Sequence, residues 1–427
     1  MQTIKTYLNI SYYLKKYLGK LPFPPIHPAT GEKLKPEDLE PLFAKELVRQ
    51  EFSLEKEIAI PKEVQEIYAL YRPTPFLRAR RLEKFLGTPA HIYYKYEGAS
   101  PAGSHKLNTA LPQAFYNKKE GVKMLTTETG AGQWGSALGM ACNFFNLACK
   151  VFMVKISFEQ KPYRKVIMQT FGADVTPSPS DTTEIGKKML EQYPGTSGSL
   201  GMAVSEAIEV AMKNKEAKYA LGSVLNHVLL HQTIIGQEAI QQMEKAGEYP
   251  DVVIGCCGGG SNFAGIAFPF LAQKLAGKKT KTRFIGVEPK SCASMSQGKY
   301  RYDHGDTAKL TPLFMMETLG CDFVPPSEHS GGLRYHGIAP LIAFLHHEGL
   351  IEARNYDQKE IFASAIDFAK TEGIIPAPES AHAIKATIDE ALRCKKENKK
   401  ETIVFCLSGH GMLDLKGYED YLSGKIK

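Results

Sequence analysis

Four short stretches of this chain carry residues whose types and spacing could do chemistry. In "ASPAGSHKLNTA" (Ala99–Ala110), Lys106 stands about one turn into an expected helix, with His105 and Asn108 beside it and otherwise small or apolar neighbours. A lysine in such a pocket has a lowered pKa, and its free amine can form a Schiff base with an aldehyde. The plain alternative is a solvated surface lysine. In "GCCGGGSNFAG" (Gly255–Gly265), Gly258, Gly259 and Gly260 run into Ser261 and Asn262 at a helix start. Glycines let several backbone N–H groups converge, Ser261 adds a hydroxyl, and the helix dipole favours an anion such as phosphate. It is not a Walker A loop, because no G-K-[ST] follows.

The third stretch, "ETGAGQWG" (Glu128–Gly135), fits G-x-G-x-x-G. A dinucleotide would need an acidic residue about 20 positions further on, at the end of the next strand. That strand offers Lys150 and Lys155 and no Asp or Glu until Glu159, and Trp134 sets an indole where a pyrophosphate would approach. Two readings stay open: a turn packed tightly by glycine, or a helix start whose free N–H groups hold another anion, such as a carboxylate. In the fourth stretch, "CLSGHG", Ser408 is either a helix N-cap or a neutral hydroxyl facing a ring nitrogen. A phosphate loop, an aldehyde-reactive lysine, a ring-nitrogen partner and a carboxylate loop are together what pyridoxal 5′-phosphate bearing an amino acid requires.

These loops need a scaffold, and the apolar runs supply one. "HIYYKYE", "KMLTTET", "CKVFMVKI", "ADVTPS", "DVVIGCC", "TRFIGVEP" and "ETIVFCLS" read as strands, and between them lie helical patterns such as "HKLNTALPQAFYNKKEG", "QWGSALGMACNFFN" and "QKPYRKVIMQTFG". Alternating β and α with fully apolar strands predicts parallel sheets covered on both faces, with ligands beyond the carboxyl ends of the strands. The length of 427 residues suits two such α/β domains. The first 70 residues are polar and proline-punctuated and read as an ordered extension packed on the body. The charge of +7 is spread thinly, which excludes the concentrated basic patch of a nucleic-acid binder. Eight cysteines without paired spacing fit a reducing cytosol, not a disulfide framework or a zinc site. The N-terminus lacks a signal-peptide core, and no run approaches a membrane span.

In order along the chain, "GSHKLN", "ETGAGQWG", "GGGSN", "GGLRYHG", "IIPAPESAHA" and "LSGHG" resemble the β chains of tryptophan synthase, and more closely their second, longer class. The resemblance implies a fold-type-II pyridoxal-phosphate enzyme: two three-layer α/β domains with mostly parallel sheets and the cofactor between them. It implies an N-terminal extension (1–70), a segment crossing to the C-terminal domain (71–104), an N-terminal domain (105–230) with a mobile communication subdomain (about 121–207), and a C-terminal domain (231–427). Lys106 would bind the cofactor covalently, and Glu128 would be the acid–base group beside an indole pocket. Thr129, Gly130, Ala131, Gly132 and Gln133 would hold the substrate carboxylate. Gly258, Gly259, Gly260, Ser261 and Asn262, with His105, would hold the phosphate. Ser408 would face the pyridine nitrogen, and Asn108, Gln133 and Glu379 would lie near the cofactor. A homodimer, a monovalent cation and an α chain as the source of indole are further implications.

Two departures qualify the resemblance. Trp134 replaces the histidine of "GAGQHG", and "GGLRYHG" puts Arg334 where an aspartate would meet a serine hydroxyl. The expected reaction is β-replacement making L-tryptophan from indole and L-serine or O-phospho-L-serine, with Arg334 and His336 facing the phosphate of the latter. The rival readings are a serine/threonine dehydratase, a cysteine-synthase-like eliminase, an NAD-dependent oxidoreductase using the Glu128–Gly135 loop, and a catalytically silent subunit. Glu128 argues against the dehydratase, the missing acidic residue against the oxidoreductase, and an intact Lys106 and Glu128 against the silent subunit.

Overall fold

A computed structural model describes residues 3–426. Its largest sheet has six strands in the spatial order Glu352–Tyr356, Arg283–Pro289, Val252–Cys256, Thr402–Leu407, His91–Tyr96 and Phe76–Arg78. The first five run parallel, and Phe76–Arg78 closes one edge antiparallel. Along the central strands alternate residues serve opposite faces, as a pleated strand demands. Val253 and Val404 pack with Phe263 and Ile266 of the helix Ser261–Leu275, while Val252, Ile254, Ile403 and Phe405 pack with Ala383 and Ile384 of the helix Pro378–Glu397. Both faces are buried, which is why these strands read as unbroken apolar runs.

A second sheet holds four parallel strands in the order Ala173–Ser178, Ala148–Val154, Met124–Thr129 and Ala217–Tyr219. The helix Gln133–Phe144 covers one face through Ala137, Leu138 and Ala141. The helix Leu200–Lys213 covers the other through Ala203, Ala207 and Ile208, joined there by Leu39, Phe43 and Leu47 of the N-terminal extension. Residues 3–70 are therefore woven into the body: Tyr7, Leu14, Leu47 and Val64 are fully buried.

Several elements depart from the sequence pattern. Lys155, expected in a strand, opens a helix, and the helical stretch that follows is divided into Lys155–Gln160 and Pro162–Thr170 at Pro162, whose ring cannot continue a preceding helix. The strand Glu352–Tyr356 escaped notice because it is a polar, half-exposed edge. Ala217–Tyr219 has only three residues. All eight cysteines are free and buried.

Candidate active site

Both sheets point their strand ends at one cavity enclosing about 960 Å³ of open space, mouth included. The strand Met124–Thr129 delivers Glu128 and Thr129 to it, and the turn after Val252–Cys256 delivers Gly259. Lys106, immediately before the helix Leu107–Lys119, lines the same space.

The lysine amine donates to the Gly222 carbonyl (2.7 Å) and to Ser261 Oγ (3.1 Å). Burial lowers its pKa to about 8 against the upward pull of Glu128, Cys256 and Glu379, so far more of it is free amine near neutrality than for an ordinary lysine, though the ammonium still predominates. His105 Nε2 reaches the same Ser261 Oγ at 3.1 Å. Burial and the neighbouring lysine push the histidine down to about 3, so it takes part as a neutral imidazole. Ser261 thus ties the lysine to the glycine-rich turn. Gly260 caps the helix Ser261–Leu275 at φ +98°, where a side chain is strained, and an added Cβ would meet Ile342 Cδ1 at 2.1 Å. Among the described residues, the N–H groups of Gly258, Gly259 and Gly260 have no hydrogen-bond acceptor, and buried Asn262 Oδ1 has no partner. Free donors at a helix N-terminus beside a lysine fit the phosphate end of pyridoxal phosphate.

Across the cavity, Thr129, Gly130, Ala131 and Gln133 form part of the lining, with Gly132 at φ +93° turning the chain into its helix. The N–H groups of residues 130–133 are likewise without acceptors among the described residues, which suits a carboxylate. Glu128 is buried, and Tyr219 Oη donates to its Oε2. Burial raises Glu128 to about 7 even though the Tyr219 hydrogen bond pulls it down. A near-neutral amine and a near-neutral carboxyl therefore share one pocket, each tuned toward proton transfer at ordinary pH. Trp134 is buried on the cavity wall, its Nε1 donating to Thr127 Oγ1 (2.6 Å). Its ring lies so close to Gly222 that a Cβ there would meet it at 2.6 Å.

Other expected residues stand further back. Ser408 Oγ lies 2.7 Å from Ser380 Oγ and 3.5 Å from Cys256 Sγ, and the Ser408 carbonyl accepts from His105 N (2.9 Å). Glu379 spans two loops, accepting from Gly332 N (2.8 Å) and Gln133 Nε2 (3.2 Å).

Three expected residues face elsewhere in this structure. Asn108 faces away from the cavity, into a buried network: its Nδ2 donates to Glu97 and Gln232, and its Oδ1 accepts from Arg72 and Tyr71. Arg334 does not reach the cavity; its Nη2 donates to the Pro325 carbonyl (2.8 Å), and its buried Nε has no partner. His336 Nε2 meets the His304 carbonyl at 2.8 Å instead. The reason is geometric. Residues 336–338 run beside the strand Leu313–Thr318, with Leu319 N bonded to His336 O and Ile338 N to Glu317 O, while Arg334 sits in a tight turn closed by Tyr335 N on the Leu333 carbonyl (3.0 Å). That turn aims Arg334 at the Pro325 carbonyl, and it is Tyr335, between the two, that lines the cavity.

Sequence reasoning missed Tyr219, Gly222, Ser223, Ser380 and the extension residues Leu39, Leu42 and Phe43. Ser380 lay within the quoted "PAPESAHA" motif and could have been singled out; the extension residues carry no local signal.

The model of the family described as "Pyridoxal-phosphate dependent enzyme" matches residues 67–409. "Tryptophan synthase beta chain 2" of Methanosarcina mazei is 57% identical over 404 residues, 95% of this chain and 91% of that one. The protein of the same name from Aquifex aeolicus is 57% identical over 420 residues, 96% and 97% of the two chains. "Tryptophan synthase beta chain" of Thermococcus gammatolerans is 58% identical over 405 residues, 95% and 92%. The processed form of threonine deaminase isoform 2 from Solanum lycopersicum has a similar fold, with a TM-score of 0.62 at 20% identity over 84% of this chain and 91% of that one.

Proposed function

Because the chain belongs to the pyridoxal-phosphate-dependent enzyme family, among its tryptophan synthase β chains, we propose that the cavity around Lys106 joins an amino-acid donor to indole. The protein is a pyridoxal-phosphate-dependent lyase of tryptophan biosynthesis that forms L-tryptophan from indole and L-serine. The observation that carries the detailed reading is the lysine amine bonded to the serine of the glycine-rich turn, in one cavity with Glu128 and the Thr129–Gln133 loop.

Bound pyridoxal phosphate supplies an aldehyde for the lysine and an electron sink for the amino acid's α-carbon. The residues divide the remaining work. The N–H groups of residues 258–260, with Ser261 and Asn262 at the helix start, bind the phosphate, and the N–H groups of residues 130–133 bind the donor's carboxylate. Lys106 Nζ, whose pKa burial lowers toward neutrality, takes the proton from the donor's α-carbon as the free amine. Ser408 offers a neutral hydroxyl to the ring nitrogen. Glu128 receives the indole N–H proton as C3 attacks, a task suited to a carboxyl held near pH 7. The apolar wall of Leu200, Val204, Ile208 and Phe314 keeps water from competing with indole. This reading brings with it a homodimer in the cytoplasm, a mobile subdomain at about 121–207, and indole arriving from an α chain or from solution. Mixing the protein with the cofactor, serine and indole tests it: tryptophan accumulates and indole suppresses pyruvate release. Pyruvate alone, unaffected by indole, would make it a dehydratase.

A second reading concerns the donor, and Arg334 favours it. The guanidinium is buried, has no carboxylate at ion-pair distance among the described residues, and is pushed below its ordinary pKa by that burial. A buried unpaired charge is costly, and a phosphate brought to it by a turn of the 331–336 segment would relieve that cost. On this reading O-phosphoserine is preferred, and Arg334→Ala lowers kcat/KM for O-phosphoserine by about 30-fold or more while serine turnover changes little. Equal losses on both donors leave the arginine a structural role.

A further inference from the structure

The apolar end of the cavity is completed by residues 175 to 178 positions away from the strand they dock on. Leu39, Leu42 and Phe43 of the N-terminal extension line it, clustered with Leu200, Val204 and Phe314. Their segment is pinned to the short strand Ala217–Tyr219. Tyr219 N donates to the Leu42 carbonyl (2.9 Å), and Lys218 Nζ donates to the carbonyls of Phe43 (2.7 Å) and Glu40. The Phe43 ring rests 5.8 Å from the Tyr219 ring, tilted at 57°, and 5.6 Å from His227. The hydroxyl of that same Tyr219 holds Glu128. Further along, the Glu51 carboxylate accepts from Asn226 N (2.9 Å), His227 N (3.0 Å) and His227 Nδ1 (2.9 Å) at the start of the helix Asn226–Gln232, and Gln50 Oε1 meets His231 Nε2 at 2.7 Å. The segment is thus held on both sides of the cavity wall it forms.

We infer that residues 42–43 of the extension select the acceptor, and that Tyr219, seated by them, is a positioning residue for Glu128. The inference rests on the reading of this cavity as the place where indole is joined. Phe43 sets the length available to a flat bicyclic ring, because its own ring is buried against Tyr219 and His227 and cannot swing aside without leaving a void. Tyr219 presents one oxygen of Glu128 with a donor, which leaves the other oxygen for the acceptor's N–H. A hydrophobic wall discriminates by roughly 10- to 200-fold per methyl group. This is the scale on which Phe43 acts.

The experiment uses the full-length protein loaded with pyridoxal phosphate, serine as donor, and indole against its 4-, 5-, 6- and 7-methyl derivatives. Phe43→Ala is expected to raise kcat/KM for at least one methylindole, relative to indole, by about tenfold or more. Leu42→Ala shifts the same panel more weakly and serves if Phe43→Ala does not fold. Tyr219→Phe removes the hydrogen bond that lowers the Glu128 pKa, so the acid limb of kcat/KM for indole moves to higher pH. The tryptophan-to-pyruvate ratio falls with it. A merely structural extension would lower all acceptors in proportion and leave the pH profile in place; that outcome overturns the inference and spares the functional reading. A wild-type protein that releases pyruvate yet condenses no indole overturns both.

Discussion

Two turns in this molecule share one recipe: a parallel strand, a glycine-rich bend with a glycine at positive φ, then a buried helix. The turn at Thr129–Gln133 has Gly132 at φ +93°, and the turn at Gly258–Ser261 has Gly260 at φ +98°. Both leave backbone N–H groups without acceptors among the described residues, so both can hold an anion. What stands behind each turn separates them. The second is tied by Ser261 Oγ to Lys106 and His105, which fixes it to the aldehyde-reactive amine. The first is led by Glu128 and followed by Trp134, which fixes it to the proton-transferring, apolar side of the cavity. An anion loop is assigned by the side chains that flank it, not by its glycine spacing.

That division can be broken experimentally. The largest effect is expected from Lys106→Ala, which removes the group linking the phosphate turn to the chemistry. Tryptophan formation should fall more than a thousandfold, about what losing a covalent and proton-transferring group costs, and the absorbance of lysine-bound cofactor should vanish. Persistence of that absorbance would move the attachment elsewhere.

Next comes Glu128→Gln. Loss of a positioned acid–base group lowers the indole step by about 100-fold, while pyruvate release from serine alone falls much less. The wild-type profile follows from the sign of the shift. The Glu128 pKa is raised to about 7, so the carboxylate is present above that pH, and kcat/KM for indole declines as pH drops through it. An acid limb near pH 4.5, the ordinary carboxyl value, would show that Glu128 does not govern the step.

The sharpest contrast pairs Gly260→Ala with Gly132→Ala. Each forces a side chain into a left-handed backbone, at about 1–2 kcal/mol, or roughly 5- to 30-fold. In Gly260→Ala the loss should appear in affinity for pyridoxal phosphate; in Gly132→Ala it should appear in KM for serine, with cofactor binding retained. Equal loss of cofactor in both variants would erase the distinction between the turns. The smallest effect belongs to Trp134→His, which gives up one hydrogen bond to Thr127 and some packing on Gly222. Turnover should change by about tenfold or less. Because Trp134 is the chain's single tryptophan, its fluorescence should report ligands entering this wall and no other.

The strand Val252–Cys256 was legible because burial on both faces left it wholly apolar; Met124–Thr129, with its threonines and Glu128, was legible from the glycine turn and helical pattern that follow it. The chemistry of Lys106, Ser261 and the glycines was legible for a related reason: small residues beside a lysine and at a helix start have few other uses. Facing was not legible. Asn108 lies two residues after Lys106, yet the helix turns it toward Arg72 and Glu97, and Arg334 and His336 flank a Tyr335 that takes the cavity side. Which side chain of an irregular segment meets a cavity depends on where its backbone turns, here between Leu333 and Tyr335, and no local pattern shows that. Nor could any local pattern show Leu42 and Phe43 meeting Tyr219, since that contact depends on how the extension wraps the body.

The pairing of His91–Tyr96 with Thr402–Leu407 sets an order of events at the ribosome. The strand near the beginning of the chain waits for the last strand to be synthesised before its sheet can close. The extension, which emerges first, finds no partner for Leu42 or Glu51 until residues 219–227 follow. For most of its synthesis the nascent protein carries an unfinished six-stranded sheet, and pairings between distant segments form slowly. Its completion is therefore a late event, governed by the arrival of residues 402–407.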